Sequence, residues 1–181
     1  MDIVNTSMST SSMIQSEKQQ SHHPLYDKWV LWAHLPHDTD WTIKSYQKIM
    51  KISSVEQMLS LYSVMPEKLI RNCMLFLMRE GVNPTWEDPA NKEGGCFSFK
   101  VANKTVPPVW KKLSYVLAGE TLSNNHKLSK VINGITISPK RAFCIVKIWM
   151  RNCSIQNPSK LTEVPGLNIQ GCIFKKHKPE Y

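Results

Sequence analysis

The sequence predicts an α+β domain: an antiparallel sheet of about seven or eight strands with helices packed on one face and the other face open. Three observations predict it. Strand-like runs rich in Val, Ile, Phe and Trp greatly outnumber helical ones. Several of those runs alternate, so that one side of the strand is apolar. The connections between them are short or hold a single helix, which suits antiparallel neighbours.

The elements follow in chain order. WVLWAHL (29–35) and YQKIMKI (46–52) read as the first two strands. SSVEQMLSLYSVM (53–65) reads as a helix, with a capping box from Ser53 to Glu56 and Val55, Met58, Leu59 and Tyr62 at helical spacing. CMLFLMRE (73–80) is a buried strand. GCFSFKV (95–101) alternates Cys96, Ser98 and Lys100 against Phe97, Phe99 and Val101. PPVWKKLSYVLAGE (107–120) is the clearest helix, with prolines at its start, Gly119 at its end, and Val109, Trp110, Leu113, Val116 and Leu117 as its buried stripe. GITIS (134–138) and FCIVKIWM (143–150) form a hairpin around PKRA. NPSKLTEVPG (157–166) holds at most two helical turns, and GCIFKKH (171–177) is a last strand.

Residues 1–21 are polar and aperiodic and are expected to form a disordered tail, which leaves 22–181 as one domain. No basic segment precedes a continuous apolar run, so a signal peptide is not expected. No stretch approaches the roughly 20 apolar residues of a membrane span. The net charge of +9 points to an anionic partner, whether nucleic acid, nucleotide or anionic membrane, although surface lysines also serve solubility. The five cysteines are odd in number and contain no CxxC pair, so reduced thiols are expected. His34-x-x-His37 lacks further ligands at usable spacing, so no metal and no cofactor are expected.

Two loops raise a chemical question. NPTWEDPANKEGG (83–95) and PHDTDWTIK (36–44) are polar, yet each carries a tryptophan, Trp86 and Trp41. Trp29, Trp32 and Trp110 fit core positions instead. Two loop indoles that converge would sandwich a planar ligand, and base–aromatic stacking is worth about 1–3 kcal/mol. A cationic ring adds a cation–π attraction of about 2 kcal/mol when desolvated. A carboxylate only accepts hydrogen bonds, so Glu87 or Asp88 would suit a base edge with two adjacent donors, as guanine offers. The plainer alternative is that Trp86 anchors its loop and Glu87 is solvated. In the hairpin, alternation puts Lys147 and Trp149 on the open face, where Lys140 and Arg141 at the turn join Lys147 as cations for a polyphosphate.

Together these stretches resemble the eukaryotic translation initiation factor 4E family, which binds the 7-methylguanosine cap of mRNA. HPLYDKWVLW (23–32), Trp41 beyond it, WEDPANKEGG (86–95), VWKKLSYVLAGE (109–120) and the run from Gly134 to Trp149 match in order over about 22–178. The resemblance implies a curved sheet with two long helices and one shortened helix, near 158–164, on its convex face. It implies a base stacked between Trp41 and Trp86, Glu87 accepting from the guanine edge, and Trp149 against the N7-methyl group. Lys140 takes the place of a family arginine that binds the cap phosphates. The family's other phosphate-binding lysines fall on Ala142 and Ile145, so Arg141 and Lys147 are inferred substitutes. A family arginine after the double glycine is Cys96 here.

The resemblance also implies a partner surface on the back, for an initiation factor 4G-like scaffold or a 4E-binding protein. Its candidates are His23, Pro24, Leu25, Val55 and Leu59. Leu59 stands where the family has a tryptophan, and Lys111 and Tyr115 replace apolar residues, which suits a divergent partner. The function expected is non-enzymatic: recruitment of capped mRNA to translation, in the cytoplasm or also the nucleus. The competing expectations are a repressor that sequesters caps and a basic single-stranded RNA-binding module without cap selectivity. No clustered carboxylates or nucleophile–base pair supports a cap hydrolase.

Overall fold

The computed structural model describes residues 22–177, so the expected tail at 1–21 lies outside the described residues. One antiparallel sheet organises the chain. Its strands are β1 (Pro24–His34), β2 (Tyr46–Ser54), β3 (Met74–Arg79), β4 (Gly95–Ala102), β5 (Ile132–Pro139), β6 (Phe143–Met150) and β7 (Ile173–Lys176). They lie in the order β2-β1-β3-β5-β6-β4-β7.

Among the described residues two helices exceed six residues, α1 (Val55–Val64) and α3 (Val106–Ala118). Two shorter ones, α2 (Glu67–Asn72) and α4 (His126–Ser129), were not expected. Both are too short to show a helical period. The shortened third helix is a single 3-10 turn, Pro158–Lys160, after which Leu161 and Val164 plug the core.

Strand alternation separates the two faces. Trp29, Leu31 and Ala33 of β1 join Leu75, Leu77, Phe97, Phe99 and the buried stripe of α3 in the main core. Trp110 and Trp29 are fully buried there. Each removes about 150–250 Å² from water, or about 4–6 kcal/mol before entropy is counted. The alternate residues Trp32, Phe76, Met78 and Trp149 form a second, smaller cluster on the opposite face, capped by Val82 and Ala90 of the β3–β4 loop. Gly134 lets β5 lie close to β3, since a Cβ there would stand 2.4 Å from the Leu77 carbonyl oxygen.

The start of α1 differs from the expected capping box by one residue. Ser54, not Ser53, is the cap, and its hydroxyl accepts from the Gln57 N–H. Gln57 in turn accepts from the Ser53 N–H at 2.7 Å. The expected apolar stripe is also rotated: Met58 and Leu61 are buried, whereas Val55 and Leu59 face outward, 39% and 53% exposed. Val55 opens the helix, and apolar spacing alone does not say which of two adjacent stripes meets the sheet.

Glu56 is released to bind His23, the residue just before β1. Its carboxylate accepts from the His23 backbone N–H and pairs with His23 Nδ1 at 2.7 Å. The side-chain bond from His23 is the main cause that pulls the Glu56 carboxyl from 4.5 down to about 2. A carboxyl lowered on folding stabilises fully above its unfolded value of 4.5, and the contribution is lost as pH falls through about 2. His23→Ala is therefore expected to raise the Glu56 titration toward the ordinary range, read by carbon-13 NMR of its carboxyl. An unmoved titration would clear His23 of that role.

Arg79, at the end of β3, is 7% exposed and has every donor in use. Its Nε donates to the Ile132 carbonyl and its Nη2 to that of Ser129. The two remaining Nη1 bonds reach Asp27 and Glu120, and Glu120 also takes the second Nη2 bond at 2.8 Å. The guanidinium lies over the Trp29 ring, 4.6 Å from its centroid. Glu120 reaches this position through an unusual helix end. Gly119 does not adopt the left-handed conformation that its place suggests; Glu120 does, at φ 55°. The Thr121 N–H then bonds the Val116 carbonyl and the Glu120 N–H that of Leu117, which closes α3 as a Schellman motif with glutamate in the glycine position.

Candidate functional site

The long β3–β4 loop is held rigid from within. The Asp88 carboxylate accepts from the Asn83 and Ala90 N–H groups. Asn91, fully buried, donates to the Asn83 and Thr85 carbonyls, and Asn133 of β5 donates to the Ala90 carbonyl and to Asn91 Oδ1. Asp88 is thus consumed as a brace. Glu87, its neighbour, is left exposed, and its charge reaches the Tyr46 phenol, whose pKa is raised first by burial and then by Glu87. Trp86 stands 52% exposed on this braced loop.

Beside Trp86 opens a cleft of about 520 Å³ on the sheet face away from α1 and α3. Trp86, Trp149, Lys140 and Lys147 line it together. The Trp149 indole is fixed in place: its Nε1–H donates to Thr136 Oγ1 at 2.7 Å. Its ring therefore meets a ligand through its carbon edge or face.

Lys175 and Lys176 of β7 complete a basic wall, and none of the described lining residues is acidic. Lys140, Lys147 and Lys175 gather like charge around the cleft, and like charges held together repel one another, a cost that a polyanionic ligand relieves. Ile145 and the 59% exposed Ile173 add apolar floor.

The sequence reading missed Lys175, Lys176 and His177. Alternation in the last strand hinted at a shared face for Ile173, Lys175 and His177. Nothing in the sequence, however, places that strand beside β4, where Lys175 faces Cys96 and Ile173 faces Ser98. His177 binds the Asn91 carbonyl through Nδ1 at 2.7 Å and tilts its ring against Trp149, 4.8 Å between centroids. Burial, more than the nearby Lys147 charge, holds its pKa below the usual range. Nδ1 is thus the protonated donor.

Not every expected residue lines this cleft. Arg141 is exposed at the hairpin turn, outside the lining, and Trp41 lies on the β1–β2 loop. Trp41 is 57% exposed, with one face stacked on His34 at 4.3 Å and an interplanar angle of 3°. On the opposite side of the sheet, His23, Pro24, Val55 and Leu59 are exposed and Leu25 half-buried. Lys111 sits 5.9 Å over the Tyr115 ring, and Tyr115 meets Tyr62 edge-on. No disulfide joins any of the five cysteines, and burial lifts the Cys144 and Cys172 thiols to about 11. Among the described residues there is no group of three His, Cys, Asp or Glu able to hold a metal, and no helix is long and apolar enough to cross a membrane.

Comparison with known proteins identifies the family and the fold. The family model of eukaryotic initiation factor 4E matches residues 24–177. The chain is 28% identical over 169 residues to eukaryotic translation initiation factor 4E of Candida albicans, covering 87% of this chain and 78% of that one. It is 33% identical over 138 residues to the wheat (Triticum aestivum) initiation factor NCBP, covering 73% and 57%. The chain spans about three fifths of the length of several curated relatives that it matches.

Among solved structures, Caenorhabditis elegans eIF4E-3, in complex with the 4E-binding protein Mextli and a cap analog, superposes with a TM-score of 0.68 at 23% identity, covering 77% of this chain and 80% of that one. Ascaris suum eIF4E-3 with an m2,2,7G cap gives 0.65 at 23% identity, covering 74% and 76%. At these identities the structures establish the shared fold.

Proposed function

Because this chain belongs to the eukaryotic initiation factor 4E family, we propose that it binds the 7-methylguanosine cap of mRNA in the Trp86 cleft and recruits capped mRNA to translation. The observation that carries the proposal is the exposed Trp86 beside Trp149 and the lysines Lys140, Lys147 and Lys175 in one cleft. Methylation at N7 makes guanine cationic, and indole faces attract such a ring while lysines attract the attached triphosphate. In this reading Trp41 and Trp86 stack on the base and Glu87 accepts from its N1–H and N2–H₂. Trp149 contacts the methyl group, and Lys140, Arg141 and Lys147 take the phosphates, joined by Lys175. The family acts by binding rather than turnover, so no chemical step is involved.

Calorimetric titration with 7-methyl-GTP and with GTP tests the proposal. The methylated ligand is expected to bind at least about tenfold more tightly, from the desolvated cation–π attraction. Equal affinities would instead leave a basic single-stranded RNA-binding module. Glu87→Ala is expected to weaken the methylated ligand by about 1–3 kcal/mol, because two guanine donors lose their acceptor; an undiminished affinity would remove Glu87 from the base edge.

For the back surface we propose a scaffold or 4E-binding protein docked over His23, Pro24, Leu25, Val55 and Leu59. Support comes from the outward exposure of Val55 and Leu59 and from the C. elegans relative's complex with a 4E-binding protein. Leu59 offers less area than an indole, which fits a partner adapted to this chain. Capture of a scaffold by the cap-bound protein favours recruitment; cap binding without it favours a repressor. Cytoplasmic residence accords with either role.

A further inference from the structure

We infer that His34 is a positioning residue that holds the Trp41 indole ready for the ligand, an inference that rests on the cap-binding reading. His34 ends β1 on the open face of the sheet and is 2% exposed. It acts on Trp41 in two ways. Its ring lies under the indole, nearly parallel at 3° and 4.3 Å away. Its Nε2 lies 2.8 Å from the Asp40 carbonyl oxygen, so Nε2–H donates to the residue immediately before Trp41. Ring and backbone are therefore fixed by one side chain.

His34 is itself supported from behind. Tyr46 of β2 meets it edge-on at 5.0 Å, and Phe76 of β3, part of the buried open-face cluster, meets Tyr46 at 5.3 Å. The loop adds its own brace, because the Asp40 carboxylate accepts from the Thr42 N–H and hydroxyl, and Asp38 accepts from the Asp40 N–H. A chain of rings thus runs from the sheet to Trp41 and leaves the far indole face open, consistent with its 57% exposure. An indole already ordered loses less rotamer freedom when a base arrives, and that saving appears as affinity.

Two variants separate the two contacts. His34→Gln keeps a donor near the Nε2 position and removes the ring; His34→Phe keeps the ring and removes the donor. Both are compared with the native chain by calorimetry with 7-methyl-GTP. Each is also compared by fluorine-19 NMR after 5-fluorotryptophan labelling, with the Trp41 signal assigned through Trp41→Phe.

His34→Gln is expected to bind about tenfold more weakly, and His34→Phe to stay within about threefold. In the free protein the Trp41 fluorine signal should move toward the solvent-exposed value in His34→Gln and stay near native in His34→Phe. The His34→Gln loss should largely vanish in a Trp41→Ala background, where there is no indole left to position. A general loss of stability would not reproduce that coupling or the selective Trp41 shift. Native-like affinity of His34→Gln, or an unmoved Trp41 signal, overturns the inference. Failure of the native chain to prefer 7-methyl-GTP would sink the cap reading instead, and the free-protein NMR would still decide whether His34 holds the indole.

Discussion

Trp86→Ala is expected to bind 7-methyl-GTP about 5- to 150-fold more weakly than the native chain, the equivalent of 1–3 kcal/mol of lost stacking. The size follows from exposure and bracing. A half-exposed indole contributes little to the core, so its removal leaves the fold intact. The loop below it is held by Asp88, Asn91 and Asn133, none of which touches the indole through a hydrogen bond. The variant therefore loses the stacking face without losing the loop. The loss should exceed that for GTP, because only the methylated base carries the charge that draws on the ring quadrupole. Trp86→Phe should recover part of the affinity. Calorimetry decides the matter: binding of Trp86→Ala within twofold of native would remove Trp86 from the site.

Arg79→Ala should be the most damaging single substitution for stability, at about 3–5 kcal/mol, as for other buried pairs broken from one side. Five donors, two carboxylates and two carbonyls meet at this side chain, which is almost wholly buried. Its removal strands Glu120, itself 9% exposed at the side chain, without its cation. It also leaves the Ile132 and Ser129 carbonyls short of a donor and uncovers the Trp29 ring. Arg79→Met, which refills the volume but not the charge, should lose nearly as much unless Glu120 is also made apolar. Urea denaturation of the single and double variants checks this. A cost below about 1 kcal/mol for Arg79→Ala would mean that the cluster contributes little net stability.

The sheet was legible because its strands are apolar enough to announce themselves. The β4 alternation and the α3 stripe led to correct faces for Phe97, Phe99, Trp110 and Leu113. Local chemistry with two equivalent solutions was not legible. SSVEQ offers adjacent serines and two acceptor side chains, and the chain uses Ser54 with Gln57 because Glu56 is drawn away by His23. Gly119 looked like the left-handed residue of its helix end, but Arg79, 41 residues upstream, instead rewards a glutamate at the next position.

The candidate site was half visible for the same reason. Loop indoles stand out in polar stretches, so Trp41 and Trp86 draw notice as candidates, and both are exposed. Asn133 and His177 owe their roles to contacts between segments 42 to 86 residues apart, and no local spacing reports those. His34 and Asn91 act on their own loops, but through a stacked ring and carbonyl bonds that leave no periodic signature.

Among the described residues the sheet has two border strands, β2 and β7. An exposed strand border invites another chain to hydrogen-bond along it, and lysines there discourage such growth. β2 carries Lys48 and Lys51, and β7 ends in Lys175 and Lys176, which also line the cleft. The β7 lysines thus stand both against self-assembly and beside the candidate anion site. Neutralising them to probe RNA affinity also strips a safeguard against fibrous aggregation, so solubility has to be followed alongside binding in any such variant.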